Sequence, residues 1–331
     1  MKSKEIFFSS LSKVYSSSKN EVTALKYPLS ITFEGLGPHC IIGPNGSGKT
    51  TLSSILGGLC RPTTGDVYFF DTDYNMRINQ NRLEIQKKMI YTFQDAKFDN
   101  KFSIFRNLEF HGRIWGLTKI QCSHVIHELL SEFSLLNKKN KKAYQLSGGQ
   151  KKQLEMIRGF LVYNSLSKTK KIKYFIADEP TAFLDPEASK KIWEHLNRCM
   201  EDDVTLIFAT NDLIEAEKYA CKLLFLKKGE IFAYNTPRKV RESLTTRKCL
   251  LVKFFGSETF LKVLKFESKM IDGYELLLSD TGINTARIYT NNYSSTMSAV
   301  LEAAKLSHTS ITQMEQFVIP LEEIFGSLSR C

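Results

Sequence analysis

The chain has 331 residues, 42% of them hydrophobic and 24% charged, and its formal net charge is +11 at pH 7. This length accommodates two domains, and the composition is typical of a globular protein, which excludes a fibrous or wholly disordered chain. Basic clusters such as residues 138–142 lack interleaved aromatic residues, which favours a solvated surface over a nucleic-acid-binding face.

Cysteine usage and hydropathy narrow the class of protein further. The seven cysteines are scattered and form no C-x-x-C pair, which argues against a disulfide framework or a zinc site and favours a reducing compartment. No run of about 18 apolar residues occurs, so we expect no transmembrane helix. The first residues, MKSKEIFFSSLSK, contain no long apolar segment and predict no signal peptide.

The first part of the chain alternates β-prone runs with helical patterns. Strands are predicted at residues 5–8, 29–33, 66–70, 89–93, 173–177 and 204–209, with a closing hairpin at 223–226 and 230–234. Between residues 95 and 163, apolar residues recur at three- and four-residue steps, which indicates helices. Short strands separated by helices predict a doubly wound α/β fold with a parallel sheet.

The pattern changes after Pro237. We predict strand 249–255, helix 258–266, strand 270–278, strand 287–290, helix 295–306 and strand 311–318. This β-α-β-β-α-β order is typical of a small ferredoxin-like domain. The chain is therefore expected to divide into domains 1–236 and 237–331.

A glycine-rich segment, GPNGSGKT, fits the phosphate-binding pattern G-x-x-x-x-G-K-[ST]. Its glycines allow backbone N–H groups to surround a phosphate, and the helix that follows adds its positive dipole end. Lys49 is expected to reach the β- and γ-phosphates, and the Thr50 hydroxyl to ligate Mg²⁺. The predicted nucleotide-binding residues are Gly43, Pro44, Asn45, Gly46, Ser47, Gly48, Lys49, Thr50 and Thr51.

A second segment, FIADEP, supplies two carboxylates at the end of an apolar strand. This position puts Asp178 beside the phosphate loop, where it can hold Mg²⁺ through water. Glu179 can then polarise the attacking water as a general base. Together the two segments predict a nucleoside triphosphate site.

A third segment, LSGGQ at residues 146–150, has the form of a helix capping box that contains two glycines. With the two segments above, it resembles the ATP-binding-cassette (ABC) ATPases, in which it is the signature sequence. In that family two cassettes pack head to tail, and each signature binds the γ-phosphate held by its partner. The resemblance implies that Ser147, Gly148, Gly149 and Gln150 contribute to a site on a second cassette.

Further positions match the family in order, and the resemblance covers about residues 4–236. Gln94 corresponds to the Q-loop glutamine, which contacts Mg²⁺ or water and hinges the helical subdomain. Asp185 lies in the segment corresponding to the D-loop, which crosses to the other subunit. Tyr15 stands where the family places an aromatic residue that stacks on adenine. ATP and Mg²⁺ are the ligands that the resemblance implies.

Two segments, FHGRIWGL (110–117) and IPLEEIFGSLS (319–329), resemble drug-resistance-type exporter ATPases. Those proteins are ATPase subunits that dock on a separate membrane permease. The resemblance implies a peripheral location at the cytoplasmic face of the membrane, a second cassette as homodimer or heterodimer partner, and no nucleic acid. The alternatives are an importer ATPase, a soluble translation-type or DNA-repair ABC protein, and a regulatory ATPase that only binds ATP. Soluble translation factors of the family usually carry two cassettes, and DNA-repair members insert a long coiled coil; this sequence has neither.

Three positions depart from the family pattern. Asn211 stands at the switch histidine, Phe183 replaces the usual glycine before the D-loop, and Gln153 replaces an arginine after the signature. Lys49 and Glu179 are intact, so ATP binding is expected. Because an asparagine is shorter than a histidine and cannot become cationic, hydrolysis is expected to be slow. Such a chain would form a weak homodimer or the degenerate half of a heterodimer.

Overall fold

The computed structural model describes residues 4–16, 20–71, 75–95, 97–166, 169, 171–244, 248–256, 259–267, 271–277, 283–321, 323 and 325. The described residues form two compact units, which divide between Pro237 and Arg238. Some predicted positions lie outside the described residues, namely 258 of one helix, 270 and 278 of one strand, and 322, 324 and 326–329 of the exporter-like ending.

A largely parallel sheet forms the centre of the first unit. Its strands are β3 (His39–Ile42), β6 (Met89–Thr92), β7 (Tyr174–Asp178), β8 (Thr205–Thr210), β9 (Lys222–Lys227) and β10 (Glu230–Asn235). In the described residues their order is β10-β9-β3-β8-β7-β6, with β10 antiparallel to β9 and the other pairs parallel. Every residue of β3, β7 and β8 is buried, as expected for a parallel sheet covered on both faces.

An antiparallel sheet packs beside the parallel one. It contains β1 (Glu5–Ser16), β2 (Glu21–Glu34), β4 (Thr64–Phe70) and β5 (Asn75–Arg77), in the order β2-β1-β4-β5. The two sheets share one hydrophobic core, which includes Phe8, Phe33 and Phe69 from the antiparallel sheet and Ile41, Ile176 and Ile207 from the parallel sheet. Burial of these side chains holds the two layers together.

The helices of this unit are α1 (Lys49–Leu56), α2 (Ile78–Gln86), α3 (Ile104–Ile114), α4 (Lys119–Glu132), α5 (Gly148–Leu166), α6 (Pro186–Glu201) and α7 (Leu213–Tyr219). Helices α3, α4 and α5 pack against one another and form the predicted helical region. An added Cβ at Gly112 would lie 2.6 Å from the Cys122 sulfur, so α3 and α4 approach closely. The α/β fold class is confirmed. None of the described helices is both long and apolar enough to cross a membrane.

Helix α8 (Pro237–Leu244) begins at the last residue of the first unit. The second unit continues with β11 (Lys248–Phe255), α9 (Thr259–Glu267), β12 (Ile271–Leu277), β13 (Ile283–Thr290), α10 (Tyr293–Leu306) and β14 (Ser310–Phe317). Its antiparallel sheet has the order β12-β13-β11-β14, the ferredoxin-like arrangement that the sequence predicts. Strand β13 begins four residues before the predicted start at Arg287, because it pairs with β11 along its whole length. Helix α8 is not predicted from the sequence.

Candidate functional site

The loop between β3 and α1 surrounds the side chain of Lys49, the first residue of α1. The Lys49 ammonium donates hydrogen bonds to the carbonyl oxygens of Gly43 at 2.8 Å and Pro44 at 3.3 Å. Gly48 has φ of 103°, a left-handed conformation that favours glycine. A Cβ at Gly43 would lie 2.1 Å from the carbonyl oxygen of Leu226, so the loop could not follow this path with a larger residue.

Polar groups of this loop are held in the interior. The Ser47 hydroxyl is buried and has no hydrogen-bond partner among the described residues, which is costly unless a ligand pairs with it. Burial lowers the pKa of Lys49, while the carboxylates of Glu179 and Asp178 favour its charged form. The loop therefore presents a cation and a hydroxyl donor, the groups that a phosphate needs.

Asp178 ends β7 beside the start of α1. Its carboxylate forms a hydrogen bond with the Thr50 side chain, and burial raises its pKa. Its Oδ1 atom is buried and unpaired in the part of the chain that the structure describes. Mg²⁺ prefers carboxylate, hydroxyl and water oxygens, so a hydroxyl next to an unpaired carboxylate oxygen fits this ion.

Glu179 follows immediately in a strained conformation, with φ of 50°. Its N–H donates to the Ala209 carbonyl at 2.7 Å, and its carboxylate accepts a hydrogen bond from the Thr210 hydroxyl at 3.4 Å. The backbone N–H of Asn211 also bonds the carboxylate, while burial raises the pKa of Glu179. A non-glycine residue in a left-handed conformation reduces stability by an amount of order 1–3 kcal/mol. The contacts between β7 and β8 keep Glu179, the candidate catalytic residue, in this conformation.

A buried carboxylate that the sequence reasoning missed lies next to this group. Glu215 accepts hydrogen bonds from the Thr181 hydroxyl and, at 3.0 Å, from the Trp193 indole. Burial raises its pKa, and hydrogen bonds from Thr181, Thr210 and Trp193 oppose that rise. Because Thr210 also bonds Glu179, the two carboxylates share one network. The segment ATNDLIEAE contains Glu215 and Glu217, and nothing in the sequence distinguishes the buried one.

The signature segment (residues 146–150) begins α5 with the predicted capping box. The Gln150 N–H donates to the Ser147 hydroxyl at 3.3 Å, and the Ser147 N–H donates to the Gln150 side chain at 3.3 Å. A Cβ at Gly148 would meet nothing within 4 Å, whereas one at Gly149 would lie 2.7 Å from the Phe183 carbonyl oxygen. No hydrogen bond among the described residues joins this segment to the phosphate loop.

Three other predicted residues lie near the nucleotide site or its flanking elements. Tyr15 is 44% exposed, and its hydroxyl bonds the Thr51 side chain at the start of α1. Gln94 is exposed two residues after the end of β6, the strand next to β7. Asp185 caps α6 by accepting a hydrogen bond from the Ala188 N–H at 2.8 Å. The structure thus brings Lys49, Thr50, Asp178 and Glu179 together most directly.

Phe183 and Lys152 add two structural features. Phe183 is 82% exposed with φ of 66°, a conformation in which glycine is the usual residue. Lys152 is buried, and its ammonium donates to the carbonyl oxygens of Phe93 at 2.9 Å and Asp178 at 2.7 Å. Burial lowers the pKa of Lys152 to about 8. In the sequence, Lys152 has the spacing of an ordinary exposed helix charge, so its position could not be predicted.

Comparison with known proteins identifies the domain. Residues 28–182 match the family model described as ABC transporter. This part of the chain is an ABC transporter domain. A solved ATP-binding cassette, dimeric and bound to ADP and Pi, superimposes with a TM-score of 0.60 at 23% identity, covering 70% of this chain and 98% of that one. This likeness shows a common fold.

Several curated relatives share this cassette. The chain is 31% identical over 233 residues to ATP-binding cassette sub-family A member 17 of Mus musculus, covering 70% of this chain and 13% of that protein. It is 27% identical over 212 residues to the doxorubicin resistance ATP-binding protein DrrA of Mycobacterium tuberculosis, covering 64% and 60%. It is 29% identical over 207 residues to the tungstate uptake system ATP-binding protein TupC of Peptoclostridium acidaminophilum, covering 61% and 87%. The chain thus spans only part of the first two relatives.

Proposed function

We propose that this cassette binds and hydrolyses ATP to power a separate membrane permease that exports its substrate. The observation that carries the proposal is the convergence of Lys49, Thr50, Asp178 and Glu179 at one end of the parallel sheet. Similarity to DrrA supports the choice of an exporter. The substrate is not encoded here, because a separate permease would determine specificity.

The chemistry follows from the charges and hydrogen bonds of these residues. The phosphate-loop amides and the Lys49 ammonium bind the β- and γ-phosphates, for which Lys49 leaves the carbonyl oxygens of its own loop. Thr50 and Asp178 would hold Mg²⁺, which supplies Lewis-acid polarisation of the phosphate when bound. Glu179 accepts a proton from the attacking water. Its raised pKa lies closer to neutral pH than that of an ordinary glutamate, and a general base is most effective when its pKa is near the working pH.

A second cassette completes the site in this proposal. Ser147 and Gly148 are exposed, and in a head-to-tail pair the Ser147 hydroxyl and the Gly148 amide would bind the phosphate held by the other cassette. Asp185 would lie at the same junction. The dimeric state of the solved cassette supports this arrangement. Adenine would stack on the exposed Tyr15 ring, and Gln94 would contact Mg²⁺ or the attacking water.

Slow hydrolysis is part of the proposal. Asn211 contacts Glu179 through its backbone N–H, and its exposed side chain is shorter than the imidazole that the family has at this position. The two cassettes would then form a weak homodimer, or a heterodimer in which this chain is the degenerate half. Residues 237–331 would be an accessory domain.

Import is the second candidate function. The alignment with TupC covers 87% of that uptake protein, a larger share than that of DrrA. In either case the chain would act at the cytoplasmic face of the membrane, bound peripherally to its permease. The direction of ATP-driven transport in vesicles of known orientation would distinguish the two.

Purification of the tagged chain from gently solubilised native membranes tests the proposal. We expect a multi-spanning permease to co-purify, and a second cassette ATPase beside it would explain Asn211 as one half of an asymmetric pair. Recovery of the chain with ribosomes or nucleic acid, and without a permease, would contradict the transport function while leaving the cassette intact.

A further inference from the structure

Lys152 is an unusual residue for its position. It lies in α5, five residues after Ser147, and its side chain is only 3% exposed. Lysine is almost never this buried unless its charge is paired or hydrogen-bonded. None of the nucleotide-binding roles described above uses this residue.

The Lys152 ammonium bridges the ends of two strands. It donates to the carbonyl oxygen of Phe93 at 2.9 Å and to that of Asp178 at 2.7 Å. Strands β6 and β7 pair in parallel as far as Thr92 and Ala177, and Phe93 and Asp178 are the residues that follow this last pair. The ammonium therefore connects the two strands just beyond their last backbone pair. Hydrogen bonds from a charged donor are stronger than neutral ones.

Helix α5 holds the other side of Phe93 as well. The Phe93 N–H donates to Glu155 Oε1 at 2.9 Å, and Arg158 pairs with the same carboxylate. Glu155 is fully buried. Both backbone groups of Phe93 are thus bound by side chains of one helix, and Gln94 is the next residue in the chain.

Close packing fixes α5 on this pair of strands. A Cβ at Gly159 would lie 2.9 Å from side-chain atoms of both Phe175 and Thr92. Because glycine allows this approach, the helix lies directly on β6 and β7. A shift of the signature segment at the start of α5 would therefore change the position of both strand ends.

We propose that Lys152 is a positioning residue that links the signature segment of this cassette to its own Asp178 and Gln94. Through this link, engagement of the signature by a second cassette adjusts the metal-binding and water-binding groups of the first. The inference rests on the proposed ATPase function. Lys152 contacts no reacting atom and acts through the backbone of Phe93 and Asp178.

Substitution of Lys152 in the full chain, with any co-purifying partner subunits, tests the link. Lys152→Met keeps the length of the side chain and removes the donor. We expect kcat to fall about tenfold, because removal of a residue that supports a metal ligand lowers activity by at least about this factor. The Mg²⁺ concentration for half-maximal turnover should rise about tenfold, the lower end of the effect of removing a residue that supports a metal ligand. ATP binding in EDTA should stay within about twofold of wild type, because the phosphate loop is untouched.

Lys151→Met is the matched control, since it removes a neighbouring lysine from the same helix. We expect its kcat and Mg²⁺ dependence to equal those of wild type. Should Lys152→Met fail to fold, Lys152→Gln retains an uncharged amide donor group on a shorter side chain, and we expect the same changes at smaller size. A folded Lys152 variant with wild-type kcat and Mg²⁺ dependence would overturn the proposed link but not the proposed ATPase function. A wild-type chain that neither binds nor hydrolyses MgATP would overturn the proposed function, and the link with it.

Discussion

The two glycines of the signature segment should respond differently to alanine. Gly148 and Gly149 are adjacent in the first turn of α5, and neither has a positive φ. A methyl group at position 148 would meet nothing within 4 Å, whereas one at 149 would lie 2.7 Å from the Phe183 carbonyl oxygen. The chain thus provides a matched pair of variants with the same chemical change.

The expected magnitudes follow from these distances. Gly148→Ala should stabilise the first unit by about 0.5 kcal/mol, because alanine loses less backbone entropy in a helix. Gly149→Ala gains the same contribution but forces a methyl group onto a backbone oxygen, and overpacking of this kind costs about 1–3 kcal/mol. The free energies of unfolding of the two variants should therefore differ by about 2 kcal/mol.

Tryptophan fluorescence during urea unfolding is a suitable assay. Both tryptophans, Trp115 and Trp193, lie in the first unit, so the signal reports on the cassette. Equal stability of the two variants would refute the packing of Gly149 against the Phe183 carbonyl. In the proposed dimer, Gly148→Ala should also lower ATP turnover without loss of stability, because the methyl group occupies space that a partner's phosphate needs.

Three further predictions concern single residues. Burial lowers the pKa of His39 from 6.5 to about 4. The folded state therefore resists protonation of His39. Its contribution to the free energy of unfolding is present above pH 6.5 and should fall by about 2 kcal/mol at pH 5. Urea unfolding of His39→Leu should depend less on pH than that of the wild type, and an unchanged pH dependence would contradict the lowered pKa of His39. Phe183→Gly should raise the free energy of unfolding by about 1 kcal/mol by removing a left-handed phenylalanine, and a loss of stability in the same assay would show that the exposed ring contributes to packing. Asn211→His should raise ATP turnover about tenfold by supplying an imidazole near Glu179, and unchanged turnover in the purified dimer would count against the slow-hydrolysis proposal.

The sequence predicts the elements whose information is local. The residues predicted to contact phosphate belong to one contiguous pattern, and the capping box of Ser147 and Gln150 forms as its spacing requires. The ferredoxin-like order of the second unit follows from short β-prone runs separated by helical ones. Such features depend on propensity and periodicity, which a single sequence contains.

The remaining features depend on tertiary contacts. In the sequence, Lys152 and Glu155 have the spacing of an exposed ion pair on a helix. In the structure both side chains are buried and bind backbone groups of Phe93 and Asp178 instead. The left-handed conformation of Glu179 is fixed by the junction of β7 with β8 rather than by its own preference. The start of β13 at Ile283 is set by its partner strand β11. These properties arise only when distant segments meet.

ATP turnover by the purified chain and by Glu179→Gln tests the central claim most directly. We expect the wild-type chain to hydrolyse MgATP slowly. Glu179→Gln should bind MgATP as tightly as wild type and lose turnover by about 100-fold, because the amide cannot accept a proton from the attacking water. A wild-type chain that does not bind MgATP, or a Glu179→Gln variant that hydrolyses it at the wild-type rate, would contradict the account.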